Sequence, residues 1–415
     1  MTSKTQKIAI LGCGTAGLAS AAFLADAGFD VTLFERFTTP KPVGAGLLLQ
    51  PTGLACLARL GLDKEAIATG APIHHLFGRT TKGRVIFDLD YRKLSPALHG
   101  LGLHRGALFH LLYEKAASYE VPIITDTEIL STKTYGTEMA LTDHKGDEYG
   151  PFHLVIDATG KNSPHRPDNL ISLQKPYPYG ALWGVVSDPG QAFGQNRLAQ
   201  LYEGAQMMTG MMAIGRDPQT GMKACTFFWS LPPGGYDAWR KNGLQAWQDK
   251  ACGYWPELTP FISQFTSLDQ LNYAHYGDII MKRPYQGRLV HIGDAAHHSS
   301  PQLGQGANLA LMDAFTLSQM LRRHQDIDLA LRAYSQIRRR PVRFYQQASR
   351  WLTPFFQSDS KTAGWLRDNS FCVLGKMPVI STEMLRILAG IKTGWFSHAN
   401  PADIHPDYDL YPASK

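Results

Sequence analysis

The chain has 415 residues, of which 44% are hydrophobic and 18% charged, so it can bury the cores of two or three domains and is not a disordered protein. Its net charge of +6 is scattered apart from residues 338–340, so we expect no nucleic-acid partner. Five cysteines are spread singly without metal-ligand spacing, and no apolar run has the length of a membrane span or the form of a cleavable leader. We therefore expect a cytoplasmic protein without a metal site.

The first elements in chain order predict one βαβ unit. Residues 8–11 are a short apolar strand, residues 16–27 are rich in small helix formers, and residues 30–34 are a second strand that ends at Glu35. The unit has the size expected at the start of a dinucleotide-binding domain.

The turn between this strand and this helix contains three spaced glycines. Gly12 allows the tight turn, Gly14 lets a pyrophosphate approach the backbone, and Gly17 lets the helix pack close to the strand. Because a carboxylate accepts ribose hydroxyls and repels a 2′-phosphate, Glu35 favours FAD or NAD over NADP at this site. The cofactor contacts predicted in this region are Gly12, Gly14, Ala16, Gly17, Glu35 and Arg36.

Three further cofactor contacts are predicted between the βαβ unit and residue 160. Gly46 lies in the loop after the βαβ unit, and Gly160 follows a buried strand at residues 154–156. Arg105 lies at the start of a predicted helix over residues 104–118, where a guanidinium can neutralise a pyrophosphate.

The middle of the chain predicts a second domain built on an antiparallel sheet. Residues 78–91 alternate like a hairpin, and further strand-like segments are separated by Gly, Pro and Asp; these lie at residues 181–186, 198–202, 207–214 and 223–229. Residues 237–254 predict an amphipathic helix. The large apolar side chains in these strands are Trp183, Met211, Phe227, Phe228 and Trp229. We expect some of them to face a substrate pocket and others to belong to the core, and the sequence does not say which.

The most informative motif lies about 280 residues after the glycine turn. A buried strand at residues 289–292 is followed by Gly293-Asp294, and a glycine-rich turn leads into a helix over residues 307–323. An Asp at this place accepts from ribityl or ribose hydroxyls, and the N–H groups of the helix start suit the pyrimidine edge of a flavin. The predicted contacts are Asp294, Pro301, Gly304, Gly306, Ala307 and Asn308. Two distant sites that suit one long dinucleotide indicate FAD, whereas the adjacent His297 and His298 are interpreted as packing.

These motifs resemble those of the single-component (group A) FAD-dependent monooxygenases, the class of p-hydroxybenzoate hydroxylase. The resemblance rests on the glycine turn with Glu35, on Arg105, and on residues 293–313, and it covers most of residues 1–325. It implies FAD, with NADH or NADPH as co-substrate, and O₂ that reacts through a flavin C4a-hydroperoxide to hydroxylate an electron-rich aromatic molecule. Residues 349–368 resemble the ubiquinone-biosynthesis hydroxylases, which adds quinone-like molecules to the expected substrates.

One departure from the family pattern keeps other functions open. Thr159 stands where the family usually has the Asp of an Asp-Gly pair linked to FAD and NAD(P)H. A similar form resembles flavin halogenases and geranylgeranyl reductases, so a flavin-dependent halogenase or alkene reductase remains the alternative, and an FAD-bound scaffold is a third possibility. No catalytic side chain is assigned, although Tyr202, Tyr273 and His275 could assist deprotonation of a phenol if they are not simply sheet packing.

The predicted fold class is α/β with an α+β substrate domain: a Rossmann-like FAD-binding domain, an inserted, mostly antiparallel sheet domain and a helical C-terminal region. Residues 1–75, 101–171 and 286–330 are assigned to the FAD-binding domain, and residues 76–100 and 172–285 to the substrate domain. The C-terminal region, residues 331–415, is predicted to be helical with breaks at Pro341, Pro354 and Pro378, and to end in a loose tail from residue 400. Its amphipathic residues 384–392 suit packing on the protein itself, a membrane surface or a protein partner.

Overall fold

The structure is a computed structural model that describes residues 6–41, 44–194 and 196–399. The strands in chain order are β1 (Lys7–Leu11), β2 (Asp30–Phe34), β3 (Gly46–Leu49), β4 (Ala71–Ile73), β5 (His75–Thr80), β6 (Val85–Asp90), β7 (Gly100–His104), β8 (Ile123–Ile124), β9 (Ile129–Tyr135), β10 (Glu138–Asp143), β11 (Glu148–Phe152), β12 (Leu154–Asp157), β13 (Ile171–Ser187), β14 (Arg197–Glu203), β15 (Met207–Arg216), β16 (Lys223–Leu231), β17 (Asn272–Met281), β18 (Tyr285–Gln286) and β19 (Leu289–His291). The helices are α1 (Thr15–Asp26), α2 (Pro51–Arg59), α3 (Asp63–Thr69), α4 (Arg105–Ser118), α5 (Gly235–Tyr254), α6 (Thr259–Ile262), α7 (Asp294–His297), α8 (Gly306–Arg323), α9 (Ile327–Phe356), α10 (Lys361–Lys376) and α11 (Pro378–Leu388).

A six-stranded, mostly parallel sheet in the order β18-β19-β12-β1-β2-β8 forms the first layer. Its central strand β1 is apolar because both faces are covered, by α1, α4 and α8 on one side and by the small sheet β9–β11 on the other. Helices α1 and α8 are joined by Phe23 and Phe315, whose rings lie 5.4 Å apart. This layer confirms the predicted Rossmann-like unit.

A seven-stranded sheet in the order β17-β13-β16-β15-β14-β5-β6 forms the second layer. All neighbouring strands run antiparallel except β14 and β5, so the sheet is mostly antiparallel as predicted. Helices α5 and α6 bury one face of it, and α9, α10 and α11 pack on the other. Both faces of the seven-stranded sheet are therefore covered.

The C-terminal region differs from the sequence expectation at two prolines. Pro341 and Pro354 do not break the chain but lie inside the single helix α9, whereas Pro378 does begin a new helix, α11. A proline inside a helix costs about 3 kcal/mol. Here that cost is outweighed because one face of α9, which includes Arg338 and Phe344, is buried against the rest of the protein. The loose tail predicted from residue 400 lies outside the described residues.

Within the part of the chain that the structure describes, no helix combines the length and the apolar character that crossing a bilayer requires.

Candidate active site

One cavity of about 1050 Å³ extends from the glycine turn after β1 to the apolar face of the seven-stranded sheet. It runs along the carboxyl ends of the parallel strands, where α/β sheets bind their ligands. Most of the predicted cofactor contacts line it: Gly12, Gly14, Glu35, Arg36, Gly46, Arg105, Gly160, Asp294, Pro301, Gly304, Gly306 and Ala307. The structure thus brings together residues that are almost 300 positions apart in the chain.

The three glycines of the first turn have different surroundings. Gly12 has φ of +99°, and a β-carbon on it would lie 2.8 Å from the carbonyl oxygen of Ala158. A β-carbon on Gly17 would lie 1.9 Å from the carbonyl oxygen of Gly12, so Gly17 allows α1 to pack on the turn. A β-carbon on Gly14 would meet nothing within 4 Å and would occupy the cavity. Since no side chain caps α1 at Gly14, its first N–H groups are available to an anion.

The carboxylate of Glu35 is fixed at the end of β2 beside this turn. It accepts hydrogen bonds from the N–H of Cys13 at 2.7 Å and from the N–H of Phe37 at 3.0 Å. A carboxylate has further lone pairs, so it can still accept from ribose hydroxyls in the cavity. Burial, with the nearby carboxylate of Glu35, raises the pKa of the Cys13 thiol to about 12, so this cysteine is inert packing.

The second motif is held by a buried ion pair. Asp313 on α8 accepts from the N–H of Gly293 at 3.0 Å and from Nε of Arg338 at 2.7 Å, and it also pairs with Nε2 of His297. Gly293 has φ of +57°, which a glycine adopts without strain. Because His297 is buried in this network, it fixes the loop, in agreement with its interpretation as packing. Asp294 is left half-exposed at the cavity.

The start of α8 presents free backbone groups to the same cavity. Gly304 has φ of +61°, and no side chain caps α8, which begins at Gly306. Asn308 supports this turn from behind: its Oδ1 accepts from the N–H of Gln50 at 2.8 Å, and its Nδ2 donates to the carbonyl of Gly304 at 3.0 Å. Three predicted contacts, Ala16, Gly17 and Asn308, do not line the cavity. Gly17 and Asn308 instead shape the turns that form its wall, Gly17 through its small volume and Asn308 through its hydrogen bonds. The residues present therefore fit FAD, with glycine cradles and uncapped helix starts at both ends.

The middle motif surrounds a buried carboxylate. Asp157 at the end of β12 accepts from the Thr159 hydroxyl at 2.6 Å and the Ser163 hydroxyl at 2.5 Å, and it pairs with Nδ1 of His291 at 2.6 Å. Burial favours the neutral carboxyl, but these hydrogen bonds prevail and lower the pKa of Asp157 to about 2. Thr159 is thus a donor to Asp157. An Asp in its place would face a second carboxylate, which gives the departure from the family pattern a local physical reason.

The sheet half of the cavity separates the aromatic candidates by strand alternation. Trp183 and Phe228 line the cavity, with ring centroids 5.0 Å apart. Met211, Phe227 and Trp229 instead belong to the core on the opposite face of the sheet, beneath α5 and α6. Since successive side chains of a strand point to opposite faces, Phe227 and Phe228 cannot share a role.

Tyr202, Tyr273 and His275 also line the cavity, but the sequence reasoning missed their neighbour Tyr276. Nε1 of Trp183 donates to the hydroxyl of Tyr276 at 2.6 Å. Burial raises the pKa of Tyr276 to about 12, so its hydroxyl keeps its proton at neutral pH. Nothing in the linear pattern distinguishes Tyr276 from other strand residues.

The C-terminal helices contribute a wall that the sequence reasoning also did not assign. It consists of Leu352, Phe356, Phe371, Met384, Ile387 and Leu388. The spacing of Met384 and Leu388 on α11 places both on one helix face, and this face turns toward the sheet. The amphipathic pattern noted over residues 384–392 thus packs on the protein itself, around the buried Leu385 and Ala389.

Comparison with known proteins decides the family. The sequence profile of a family described as FAD binding domain matches residues 5–348. The chain belongs to this family. Among curated relatives, it is 24% identical over 87% of its length to the aurachin C monooxygenase/isomerase of Stigmatella aurantiaca, covering 92% of that protein. It is 29% identical over 76% of its length to the 3-amino-4-hydroxybenzoate 2-monooxygenase of Streptomyces cremeus, covering 79% of that protein.

A solved structure shows the same fold. The Klebsiella pneumoniae protein HpxO, determined with FAD and uric acid, matches with a TM-score of 0.79 and 20% identity over 93% of this chain and 97% of that chain. Taken with the curated relatives, the family makes the chain a flavoprotein monooxygenase of the group A type, with FAD as its cofactor.

Proposed function

We propose that the protein hydroxylates an aromatic small molecule, using FAD, O₂ and either NADH or NADPH. The observation that supports this function best is the single cavity that joins the FAD cradle to an aromatic wall of the seven-stranded sheet. A reacting ring can therefore lie beside the flavin within the same cavity. The relatives named for monooxygenation of aminohydroxybenzoate and hydroxylation of urate support an aromatic substrate.

The cofactor half of the cavity orients the dinucleotide. Glu35 would accept from the ribose, the N–H groups around Gly14 would receive the pyrophosphate, and the guanidinium of Arg105 would neutralise part of its charge; all three line the cavity. The uncapped start of α8 at Gly306 would offer partial positive charge to the polar edge of the flavin ring and favour negative charge there. When bound, FAD supplies the redox chemistry that activates O₂.

The sheet half orients the substrate. The hydroxyl of Tyr276 accepts from Trp183, so its own proton is available to donate to a phenol oxygen of a substrate. His275 also borders the cavity, but it alternates with Tyr276 on β17 and its ring lies against Tyr273 on the α5 face of the sheet, so it does not share the wall of Tyr276. The rings of Trp183 and Phe228 line this half of the cavity and would shield the reacting carbon of the substrate from water.

The direct test is oxygen transfer. With a phenolic substrate, the purified flavoprotein should oxidise NADH or NADPH faster than without it. When the reaction runs under ¹⁸O₂, mass spectrometry should find one ¹⁸O atom in the product. The control is the same reaction without oxygen, which should give flavin reduction and no hydroxylated product. Reduction of an alkene or halide-dependent product formation would instead indicate one of the two alternative chemistries.

A peripheral membrane contact through the C-terminal helices is a further proposal. The end of α10, the start of α11 and the turn between them expose Val373, Met377 and Val379, with 63%, 49% and 77% of their surface accessible, beside the positive charge of Lys376. We expect the protein to co-sediment with vesicles of anionic phospholipid, and the double variant Val379→Glu/Met377→Glu to remain in the supernatant. Equal sedimentation of both proteins, or of neither, would remove this proposal.

A further inference from the structure

Within the proposed function, we infer that the sheet half of the cavity selects an uncharged aromatic molecule that carries an aliphatic chain. The ring would lie against Trp183 and Phe228, and the chain would extend between the sheet and the α10–α11 hairpin. This substrate class rests on the hydroxylase proposal but has its own physical basis, which is the length and the charge of the cavity wall.

A row of register partners forms the floor of this half. Across neighbouring strands from β13 to β6, the partners are Trp183, Phe228, Gly210, Gln200, Gly78 and Phe87. Neighbouring strands are about 4.8 Å apart, so the row extends roughly 24 Å. A single ring cannot fill such a length, but a ring with a chain can.

Two glycines keep this floor flat. A β-carbon on Gly210 would lie 2.4 Å from the ring of Phe228, and one on Gly78 would lie 2.7 Å from the ring of Phe87. Each aromatic ring therefore lies down over a glycine of the adjacent strand. The result is a shallow, continuous slot rather than a series of separate pockets.

The roof and the floor of the slot are uncharged. The sheet contributes Leu198, Met208 and Met212, and the C-terminal helices contribute Phe371, Met384 and Leu388. Among the described residues of β5, β6, β13–β16 and α9–α11 that line the cavity, none is Asp, Glu, Lys or Arg. A carboxylate placed here would lose its hydration without gaining a cation, which is strongly unfavourable.

One buried cation beside the slot, Arg367, is already engaged. The guanidinium of Arg367 lies over the ring of Tyr202, on the side of α10. It donates to Asp368 at 2.6 Å and to the carbonyl of Phe355 at 3.0 Å. Its charge is thus satisfied within the helical region and is not directed at a ligand.

The test compares chain lengths on the FAD-loaded protein without NAD(P)H, so that binding is measured and not turnover. Isothermal calorimetry with 4-propylphenol and 4-heptylphenol should show roughly a threefold to fourfold gain in affinity for each added methylene. A carboxylate at the end of the heptyl chain should remove most of that gain. Equal affinity for the short and long phenols, or tighter binding of the carboxylated one, would overturn the inference.

Variants of the roof locate the chain. Leu388→Lys should weaken binding of 4-heptylphenol at least tenfold and strengthen binding of the carboxylated analogue, whereas Val379→Lys on the exposed side of α11 should change neither. If Leu388→Lys does not fold, the smaller change Met384→Ala replaces it as the test. Met384→Ala should reduce the preference for 4-heptylphenol over 4-propylphenol. No shift in preference in a folded roof variant would contradict the placement. Hydroxylation is scored separately, since chain-selective binding without oxygen transfer would reject the function and leave this site intact.

Discussion

Asp313→Ala is expected to lower the free energy of unfolding by about 3–5 kcal/mol, the usual effect of removing one partner from a buried ion pair. Asp313 is fully buried and holds Arg338, His297 and the N–H of Gly293 at once. Chemical denaturation followed by circular dichroism measures the loss. The matched control is Asp269→Ala, which removes an exposed pair with Arg240 and should cost about 1 kcal/mol or less. A comparable loss in both variants would contradict this role of Asp313.

The carboxylate of Asp313 should also make the stability of the protein depend on pH in the acid range. Burial alone would raise the pKa of Asp313, but the charges of His297 and Arg338 outweigh it and hold the pKa well below the ordinary value. The folded pKa therefore lies below the unfolded one, so the stabilisation is present above about pH 4 and is lost as the pH falls further. Between pH 5 and pH 2, the wild-type protein should lose stability more steeply than Asp313→Ala, measured by denaturation at each pH.

Gly17→Ala is expected to lower the stability of the fold, whereas Gly14→Ala is expected to lower the affinity for FAD. The methyl group on Gly17 would lie 1.9 Å from a backbone oxygen that cannot move away, so the fold should lose at least the 1–3 kcal/mol typical of overpacking. The methyl group on Gly14 meets nothing, and Gly14 has φ of −85°, so the apoprotein should keep its stability within about 1 kcal/mol. FAD, however, would lose the close approach to the backbone and should bind on the order of tenfold more weakly.

Thermal unfolding of the apoprotein and fluorescence titration with FAD separate the two effects. Each variant serves as the control of the other, since both add one methyl group to the same turn. Loss of stability in Gly14→Ala, or unchanged stability in Gly17→Ala, would contradict the division of roles between the two glycines.

The cofactor half of the site could be predicted from sequence because its chemistry depends on short motifs. The spacing of Gly12, Gly14 and Gly17 assigned one physical role to each; the surroundings of Gly12 and Gly17 match the tight turn and the close helix packing, and the role of Gly14 toward a pyrophosphate stays a prediction. Asn308 shows the limit of such motifs: its place in a binding sequence did not reveal that its side chain fastens Gln50 and Gly304. A motif identifies a turn, but the contacts of each side chain depend on residues that are distant in sequence.

The substrate half could be predicted only in outline. Alternation in β16 separates Phe227 from Phe228, but it does not say which face meets α5 and which meets α10. Phe371 and Leu388 reach the cavity because their helices pack on β6 and β14, which lie much earlier in the chain. Local amphipathicity predicts that a helix face is buried and leaves its partner unknown. The same reasoning failed at Pro341, where burial of α9 overrode a strong local preference.

The position of the α10–α11 hairpin in the chain has a consequence for how this enzyme could acquire new substrates. The family match ends at residue 348, before either helix begins, yet both helices line the cavity. One wall of the substrate space is thus encoded after the stretch that carries the predicted flavin contacts and the sheet floor. Mutation or exchange of the hairpin alone would explore new selectivities while the residues predicted to hold the flavin stay unchanged, so a library confined to residues 361–388 is a practical starting point for directed evolution.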